Sequence, residues 1–326
     1  MEFRADGLDD LLAQLYPFIL ETGVENVGSK GRHLDTIGTT LRLTDPRARL
    51  SRSMRRAKPF SAIGELLWYL SGTDEASFMD PYHRYYSQDG APSEVADAYG
   101  PRLRGRLPEK GFDYDQLEFV LETLGEKPGS RRAIIQIYDS ADRTLERDVP
   151  CTTTLQFHGR GDQLHMTTTM RSNDAYIGLP HDLFCFTMLQ EMVATRLRLG
   201  LGEYVHFAGS MHIYESNLAA ARGYLHEGYH RIAPMPAMPA GDPFEAFAKL
   251  MQVETRIRDG DAVDFDGLGF DSYYEDIARL VLVNFRSDDA GEVTRAMRGL
   301  THREYHTYMD DRDGVVPVGK RETVAR

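Results

Sequence analysis

The chain predicts an α+β fold with its strands gathered in the middle of the sequence. Three observations predict it. Near the N-terminus, Leu8, Leu11, Leu12, Leu15 and Ile19 recur at helical spacing. Two β-rich runs, Thr152 to His158 and Leu164 to Arg171, flank the spacer Gly159-Arg160-Gly161-Asp162-Gln163, a hairpin signal. Beyond them, Leu183 to Leu197 is apolar on nearly all sides, as expected of a helix buried in a core.

Taken in order, the first element is a helix over Leu8 to Leu20, with Pro17 as a kink. Leu34 to Leu43 reads as a strand with Gly38 inside it, a bulge position. Pro59 to Leu70 is a mostly apolar, buried helix. Asp74 to Arg106 is polar, rich in Tyr, Pro and Gly, and irregular. Asp115 to Leu124 is a helix, and Arg132 to Tyr138 a strand leading into the hairpin. After the central helix come a short strand, Glu203 to Phe207, and a helix or helical turn over His212 to Leu225. The tail after Asp310 is charged and expected to be loosely held. There is no internal repeat and no low-complexity linker.

Composition narrows the function classes. The chain has 326 residues, 41% hydrophobic and 27% charged, with no apolar run near the ~20 residues of a membrane span. The start, Met1-Glu2-Phe3-Arg4-Ala5-Asp6, has no signal-peptide core behind it, so a cytoplasmic protein is expected. Two cysteines, Cys151 and Cys185, do not make a disulfide scaffold, and no metal-ligand motif is present. A net charge of −12 argues against nucleic-acid binding. Basic stretches at Arg52 to Lys58, Arg131-Arg132 and Arg171 nevertheless suit a single small anion such as a phosphate.

Three features carry chemistry. If His158 pairs with Leu164, counting down the ladder sets Thr152 opposite Met170 and Cys151 opposite Arg171. That setting lowers a thiol pKa and makes Cys151 either a nucleophile or a small core residue, depending on register. Glu65 interrupts Ile63-Gly64-Glu65-Leu66-Leu67-Trp68-Tyr69-Leu70; it is either on a solvent edge or buried, where its pKa would rise into the range useful for proton transfer. In Arg171-Ser172-Asn173-Asp174 and Gly178-Leu179-Pro180-His181-Asp182, the aspartates read equally as a turn residue and an N-cap. His212-Ile213-Tyr214 reads equally as a helix start.

Together these segments resemble the thymidylate synthase superfamily from about Leu8 to Tyr308. The matching motifs are Glu65-Leu66-Leu67-Trp68-Tyr69-Leu70-Ser71-Gly72, Ala98-Tyr99-Gly100, Ser130-Arg131-Arg132, Pro150-Cys151, Arg171-Ser172-Asn173-Asp174, Gly178-Leu179-Pro180 and Gly209-Ser210-Met211-His212-Ile213-Tyr214. The resemblance implies one catalytic domain over residues 1–310, a central mixed β-sheet flanked by helices, and a tail over 311–326. It implies that Cys151 is the nucleophile adding to pyrimidine carbon 6, that Glu65 is the general acid/base, and that Tyr99 helps remove the carbon 5 proton. Arg171 and Ser172, with Asn173 beside them, resemble nucleotide ligands. Arg131 and Arg132 match arginines that reach the phosphate from the other subunit of a homodimer. His212 and Tyr214 match ligands of the sugar 3′ hydroxyl. Asp174 and Gly178 match positions near the folate, a 5,10-methylenetetrahydrofolate co-substrate. The loop Gly28-Ser29-Lys30-Gly31-Arg32-His33 lacks the family's Arg-Thr-Gly, so Lys30 or Arg32 takes its phosphate role.

Two departures from the family point to the product. Thymidylate synthases carry asparagine where this chain has Asp182; the phage deoxycytidylate hydroxymethylase has Asp at this place and an Arg-Ser-Asn-Asp motif, and this chain resembles it in both. Cytosine offers an acceptor at nitrogen 3 and an amino donor at carbon 4; a carboxylate accepts from the amino group and, protonated, serves nitrogen 3. The family's tryptophan near the folate is missing; Tyr82, Tyr85 and Tyr86 occupy that stretch, and the family's C-terminal lid sequence is absent. Both changes alter water access to the exocyclic methylene, which a hydroxymethylase exposes to water rather than to folate hydride. The expectation is a CMP or dCMP 5-hydroxymethylase, with methylation of dUMP by an atypical thymidylate synthase as the alternative. A third reading, a dead binding homologue, conflicts with retention of Cys151, Glu65, Tyr99, Arg171, His212 and Tyr214. A composition rich in Arg, Ala, Gly and Asp leans toward CMP and nucleoside natural-product (antibiotic) biosynthesis.

Overall fold

A computed structural model describes residues 1–28, 30–53, 59–83, 93–105, 113–145, 149–228 and 231–306. Its frame is a mixed seven-stranded sheet in the order β1 (Glu2–Ala5), β3 (Gly31–Leu43), β7 (Gly200–Tyr214), β6 (Gln163–Asp174), β5 (Thr152–Arg160), β4 (Ile134–Gln136), with β2 (Val24–Gly28) paired on β3. β1–β3 and β6–β7 are parallel and the other pairs antiparallel. Inward positions such as Leu155, Phe157, Met166, Met170, Tyr204, Ala208 and Met211 are buried. They follow the period-2 alternation of strands with one covered face.

The predicted helices form for the predicted reasons. α1 (Leu8–Thr22) buries Leu8, Leu11, Leu12, Leu15 and Ile19 and carries Pro17 inside. α2 (Pro59–Ser71) buries nearly every residue but Glu65; Gly64 is required because a Cβ there would lie 2.2 Å from the Tyr82 ring. α4 (Gln116–Glu126) starts at Asp115, whose carboxylate caps Leu117 and Glu118 N–H. α5 (Gly178–Arg196) is buried along almost its whole length and starts five residues before the expected Leu183. Asp182 therefore lies within the helix and is not its N-cap.

Several expectations need correction. His212 to Tyr214 is not a helix start but the end of β7, which runs fifteen residues; the helix that follows, α6, is Leu218–His226. Gly200, Gly202 and Gly209 within β7 hide its length, since glycine reads as a strand break in sequence. The strand expected over Arg132 to Tyr138 contracts to β4. Within the irregular segment a short helix, α3 (Tyr99–Leu103), forms. Three further helices occur where the reading above assigns no element: α7 (Pro243–Arg258), α8 (Ser272–Phe285) and α9 (Ala290–Arg298). Their signals were present, since Asp242, Asp271 and Asp289 each cap the following N–H groups and Pro243 opens α7. The tail beyond residue 306 lies outside the described residues.

The hairpin register differs instructively. Near the turn, His158 pairs with His165, one residue away from the expected partner Leu164. A bulge between Thr152 and Thr154 absorbs that residue, so Thr152 faces Met170 as expected. The ladders also break at Gly38, Gly209 and Arg171, and Gly38 takes φ of +71° without shifting the β3–β7 register. A Cβ on Gly209 would stand 2.9 Å from the Arg171 carbonyl, so glycine is needed where the two backbones approach closely.

Candidate active site

α5 packs on β6 and β7, α2 packs on α5, and α3 packs on α2. β6–β7 pairing sets Ser172 beside Ser210 and Asp174 beside His212, while β3–β7 pairing sets His33 beside Tyr214. Cys151, just before β5, faces Arg171: the Arg171 N–H donates to the Cys151 carbonyl at 2.8 Å. The Arg171 guanidinium wraps the same segment, donating to the carbonyls of Pro150 (2.9 Å) and Val149 (2.8 Å), with Nη2 3.7 Å from Cys151 Sγ. The register argument thus reached the right neighbour, although the bulge was needed to make it so.

The expected fall in thiol pKa does not occur. Burial pushes the Cys151 thiol up; Arg171 and, more weakly, Lys30 pull it down, while Asp182 and Asp97 add to the rise. Desolvation outweighs the two cations, so the thiol pKa lies above its ordinary value. Cys185 sits in α5, fully buried, with Sγ 3.7 Å from the Ala62 carbonyl, as a packing residue.

Glu65 is half-buried at the mouth of the cleft, and burial raises its carboxyl pKa, opposed by a 2.7 Å hydrogen bond from the Tyr69 hydroxyl. Tyr69 was not singled out from the sequence, since a tyrosine in an apolar run reads as core. Tyr99 lies 5.1 Å from the Tyr69 ring and stacks on Phe186 at 6.4 Å, and its hydroxyl accepts from the Thr152 N–H at 3.1 Å. The short helix carrying Tyr99 is anchored by Arg102. That fully buried guanidinium donates to both Asp142 oxygens, at 2.6 and 2.8 Å, and to the Ile137 carbonyl at 2.7 Å.

Asp182 enters from the first turns of α5 and is only 7% exposed. Burial, the nearby Glu65 and, least, Asp174 push its pKa well above the carboxylate range, opposed by the Asn173 amide, whose Nδ2 donates to Oδ2 at 2.7 Å. Asn173 is itself 3% exposed, so it reaches the cleft through Asp182 rather than directly.

His212, Tyr214 and His33 form a ring cluster: His212 lies 4.8 Å from Tyr214 and 5.0 Å from His33, between ring centroids. Burial first, then His33, lowers the His212 pKa to about 4, so the ring is neutral. Its Nδ1 is buried with no hydrogen-bond partner among the described residues, a polar atom waiting for a ligand. His33 is a member of this cluster that sequence reasoning quoted without a role; its strand position opposite Tyr214 was the missing signal. Of the two loop cations, Lys30 is close enough to lower both Cys151 and His212, whereas Arg32 pairs with Val27 in the β2–β3 hairpin.

Some expected residues stand apart. Arg131 and Arg132 are exposed beside β4, where the Arg131 carbonyl accepts from Gln156 Nε2 at 3.0 Å. Gln156 is five residues along from Cys151, roughly 16 Å at strand rise, so neither arginine meets this chain's own Arg171. Asp174, half-buried, accepts from the Tyr176 N–H at 2.9 Å, and Gly178 opens α5; exposed Ile177 lies between them. Tyr82 is not a cleft residue: it is buried and donates to Glu254 at 2.9 Å. Tyr85 and Tyr86 lie outside the described residues. A cleft of about 740 Å³ at the other end of α5, lined in part by Arg47, Glu191 and Asp242, contains neither cysteine nor histidine. Among the described residues no group of three or more His, Cys, Asp or Glu is placed to hold a metal ion, and no helix is long and apolar enough to cross a membrane.

The family profile described as thymidylate synthase matches residues 15–250. A thymidylate synthase of Haloferax volcanii is 32% identical over 173 residues, which cover 47% of this chain and 51% of that protein. One of Symbiobacterium thermophilum is 29% identical over 173 residues, covering 50% of this chain and 61% of its own length. The chain thus spans between about half and three-fifths of these relatives.

Proposed function

The chain belongs to the thymidylate synthase family, and from that premise we propose a one-carbon transferase that hydroxymethylates carbon 5 of a cytidine monophosphate, CMP or dCMP. The observation that carries the choice of base is Asp182, a buried carboxyl facing the cleft whose pKa stands well above the ordinary range. A carboxyl kept protonated can donate to nitrogen 3 of cytosine and, through its other electron pairs, accept from the 4-amino group. Asn173 occupies Oδ2, and in this reading Oδ1 meets the base.

In this reading Cys151 Sγ adds to carbon 6 as its proton leaves, in the positive field of Arg171 and Lys30. The displaced electron pair runs through carbon 5 toward nitrogen 3, where Asp182 delivers a proton. A 5,10-methylenetetrahydrofolate co-substrate supplies a one-carbon unit at the formaldehyde oxidation level. Asp174 and Gly178, with the exposed apolar Ile177 between them, are the residues that would hold it. Tyr99 assists loss of the carbon 5 proton. Glu65 then guides water onto the exocyclic methylene, and Cys151 leaves from carbon 6, so tetrahydrofolate departs without oxidation. His212 Nδ1 and Tyr214 bind the 3′ hydroxyl; Arg171, Ser172 and Lys30 bind phosphate. Arg131 and Arg132 reach the phosphate of a partner subunit across the uncovered sheet face, where Ile37 is 87% and Phe207 37% exposed. The working unit is then a cytoplasmic homodimer, in a nucleoside natural-product route.

The second reading, methylation of dUMP, is favoured by the names of the relatives. Incubation with methylenetetrahydrofolate and each of CMP, dCMP, UMP and dUMP, with products identified by mass and dihydrofolate followed by absorbance, decides. Hydroxymethylcytidylate without dihydrofolate supports the first reading; thymidylate with stoichiometric dihydrofolate establishes the second.

A further inference from the structure

Next to Asp182 lies a chain of buried polar side chains. Leu164, Met166, Met170, Ala208 and Met211 line the buried face of β6 and β7, yet Tyr204 and His206, both fully buried, stand among them, with the buried Thr168 against Tyr204. Tyr204 Oη lies 2.9 Å from His206 Nδ1, His206 Nε2 lies 3.0 Å from Asn173 Oδ1, and Asn173 Nδ2 lies 2.7 Å from Asp182 Oδ2. Four side chains from β7, β6 and α5 thus form one continuous line ending at the cleft. Buried polar groups are costly unless fully bonded, so such a line is kept only if each member is used.

Its polarity follows from elementary chemistry. Burial drives the His206 pKa down to about 3, so the ring is neutral and has one N–H to give. An imidazole nitrogen is a better acceptor than a phenol oxygen, so Tyr204 donates to Nδ1. The ring N–H is then on Nε2 and donates to the Asn173 carbonyl, which turns the amide NH₂ toward Asp182. With an N–H pointing at Oδ2, that oxygen is the better-stabilised acceptor, which favours the proton on Oδ1. Gly178 makes the contact possible, since a Cβ there would stand 3.2 Å from Asn173 Nδ2 and 3.5 Å from Asp182 Oδ2.

We propose that Tyr204, His206 and Asn173 are positioning residues that hold the proton of Asp182 on the oxygen facing the pyrimidine. The inference rests on the reading of Asp182 as the base contact. Reversed wiring would spend that proton on Asn173 and leave none for nitrogen 3. The other groups acting on Asp182 are Glu65 and Tyr69 from α2, Tyr99 from α3, Cys151 before β5, Asp174 on β6 and Cys185 on α5. All of them stay unchanged in the variants below.

The test separates wiring from packing. In ligand-free protein the infrared carboxyl band of Asp182, identified by its loss in Asp182→Asn, is titrated in wild type, Asn173→Ala, His206→Leu and His206→Gln. Asn173→Ala removes the N–H that stabilises the carboxylate, so the midpoint rises by about one pH unit. His206→Leu frees the amide to turn and shifts the midpoint the same way. In His206→Gln the side-chain amide replaces the Nε2 donor and returns the midpoint toward wild type. On the preferred nucleotide, kcat falls about tenfold in His206→Leu, with KM little changed, and recovers in His206→Gln. Unmoved midpoints, or His206→Gln behaving like His206→Leu, overturn the relay; Asn173→Ser replaces any variant that does not fold. If wild type prefers uridine nucleotides, the cytidine reading fails while the infrared series still decides the relay.

Discussion

Asp182→Asn is the substitution whose outcome the structure constrains most. An amide in isolation can flip to suit either base, presenting its oxygen or its NH₂ to the pyrimidine. Here it cannot, because Asn173 Nδ2 donates to the inner oxygen of residue 182 at 2.7 Å. The new carbonyl must therefore turn inward, leaving NH₂ at the pyrimidine edge. That NH₂ can meet nitrogen 3 of cytosine but cannot accept from the 4-amino group, which is left buried and unpaired. Leaving one donor unsatisfied costs about 1–3 kcal/mol, or about 5- to 150-fold in kcat/KM at 1.4 kcal/mol per factor of ten. For uracil the same NH₂ donates to oxygen 4 while the nitrogen 3 N–H loses its acceptor, so those two costs are comparable between the bases. The amide also has no proton to deliver to nitrogen 3 as Cys151 adds, a loss that falls on cytosine alone, so the cytidine-to-uridine ratio of kcat/KM should fall by about 5- to 150-fold. The assay is steady-state kinetics on the two monophosphates with saturating methylenetetrahydrofolate. A ratio that stays within twofold of wild type would remove Asp182 from base selection and with it the case for cytosine.

Cys151→Ser should abolish turnover while nucleotide binding, measured calorimetrically, persists, because an alcohol is a far weaker nucleophile than a thiolate; Cys185→Ser, a packing change inside α5, should keep most activity. Arg131→Ala and Arg171→Ala should each impair turnover, and mixing them with verified subunit exchange should restore part of it, since one hybrid site carries neither lesion. No recovery would count against Arg131 acting across subunits. Stability should also depend on His206. The native ring, with its pKa near 3, stays neutral where the unfolded ring, at about 6.5, takes a proton. The unfolded state binds more protons in that window, so this contribution is complete above about pH 6.5 and is lost as pH falls toward 3. Urea midpoints of His206→Gln should consequently fall less than those of wild type between about pH 7 and pH 4; parallel curves would mean that His206 already titrates freely in the folded protein.

Local pattern determined much of this protein. Helical spacing placed α1, the unbroken apolar runs placed α2 and α5, and the glycine-containing spacer placed the β5–β6 hairpin, because each signal depends only on side-chain periodicity and turn chemistry. The motif order also named Glu65, Tyr99, Cys151, Arg171 and Asp182, which the fold brings near one another, and His212 and Tyr214, whose rings meet. What sequence could not determine depends on distance through space. The bulge at Thr153, not a constant register, sets Cys151 against Arg171. Desolvation, which exists only once α2, α3 and α5 close over the sheet, reverses the expected direction of the thiol pKa. His206 and Tyr204 look like ordinary strand residues until the parallel β6–β7 pairing brings them under Asn173. Arg131, which the motif match groups with Arg171, lies far along the sheet from this chain's own Arg171. Periodicity is written along the chain, whereas burial and the partners of a proton are properties of what the fold packs against each residue.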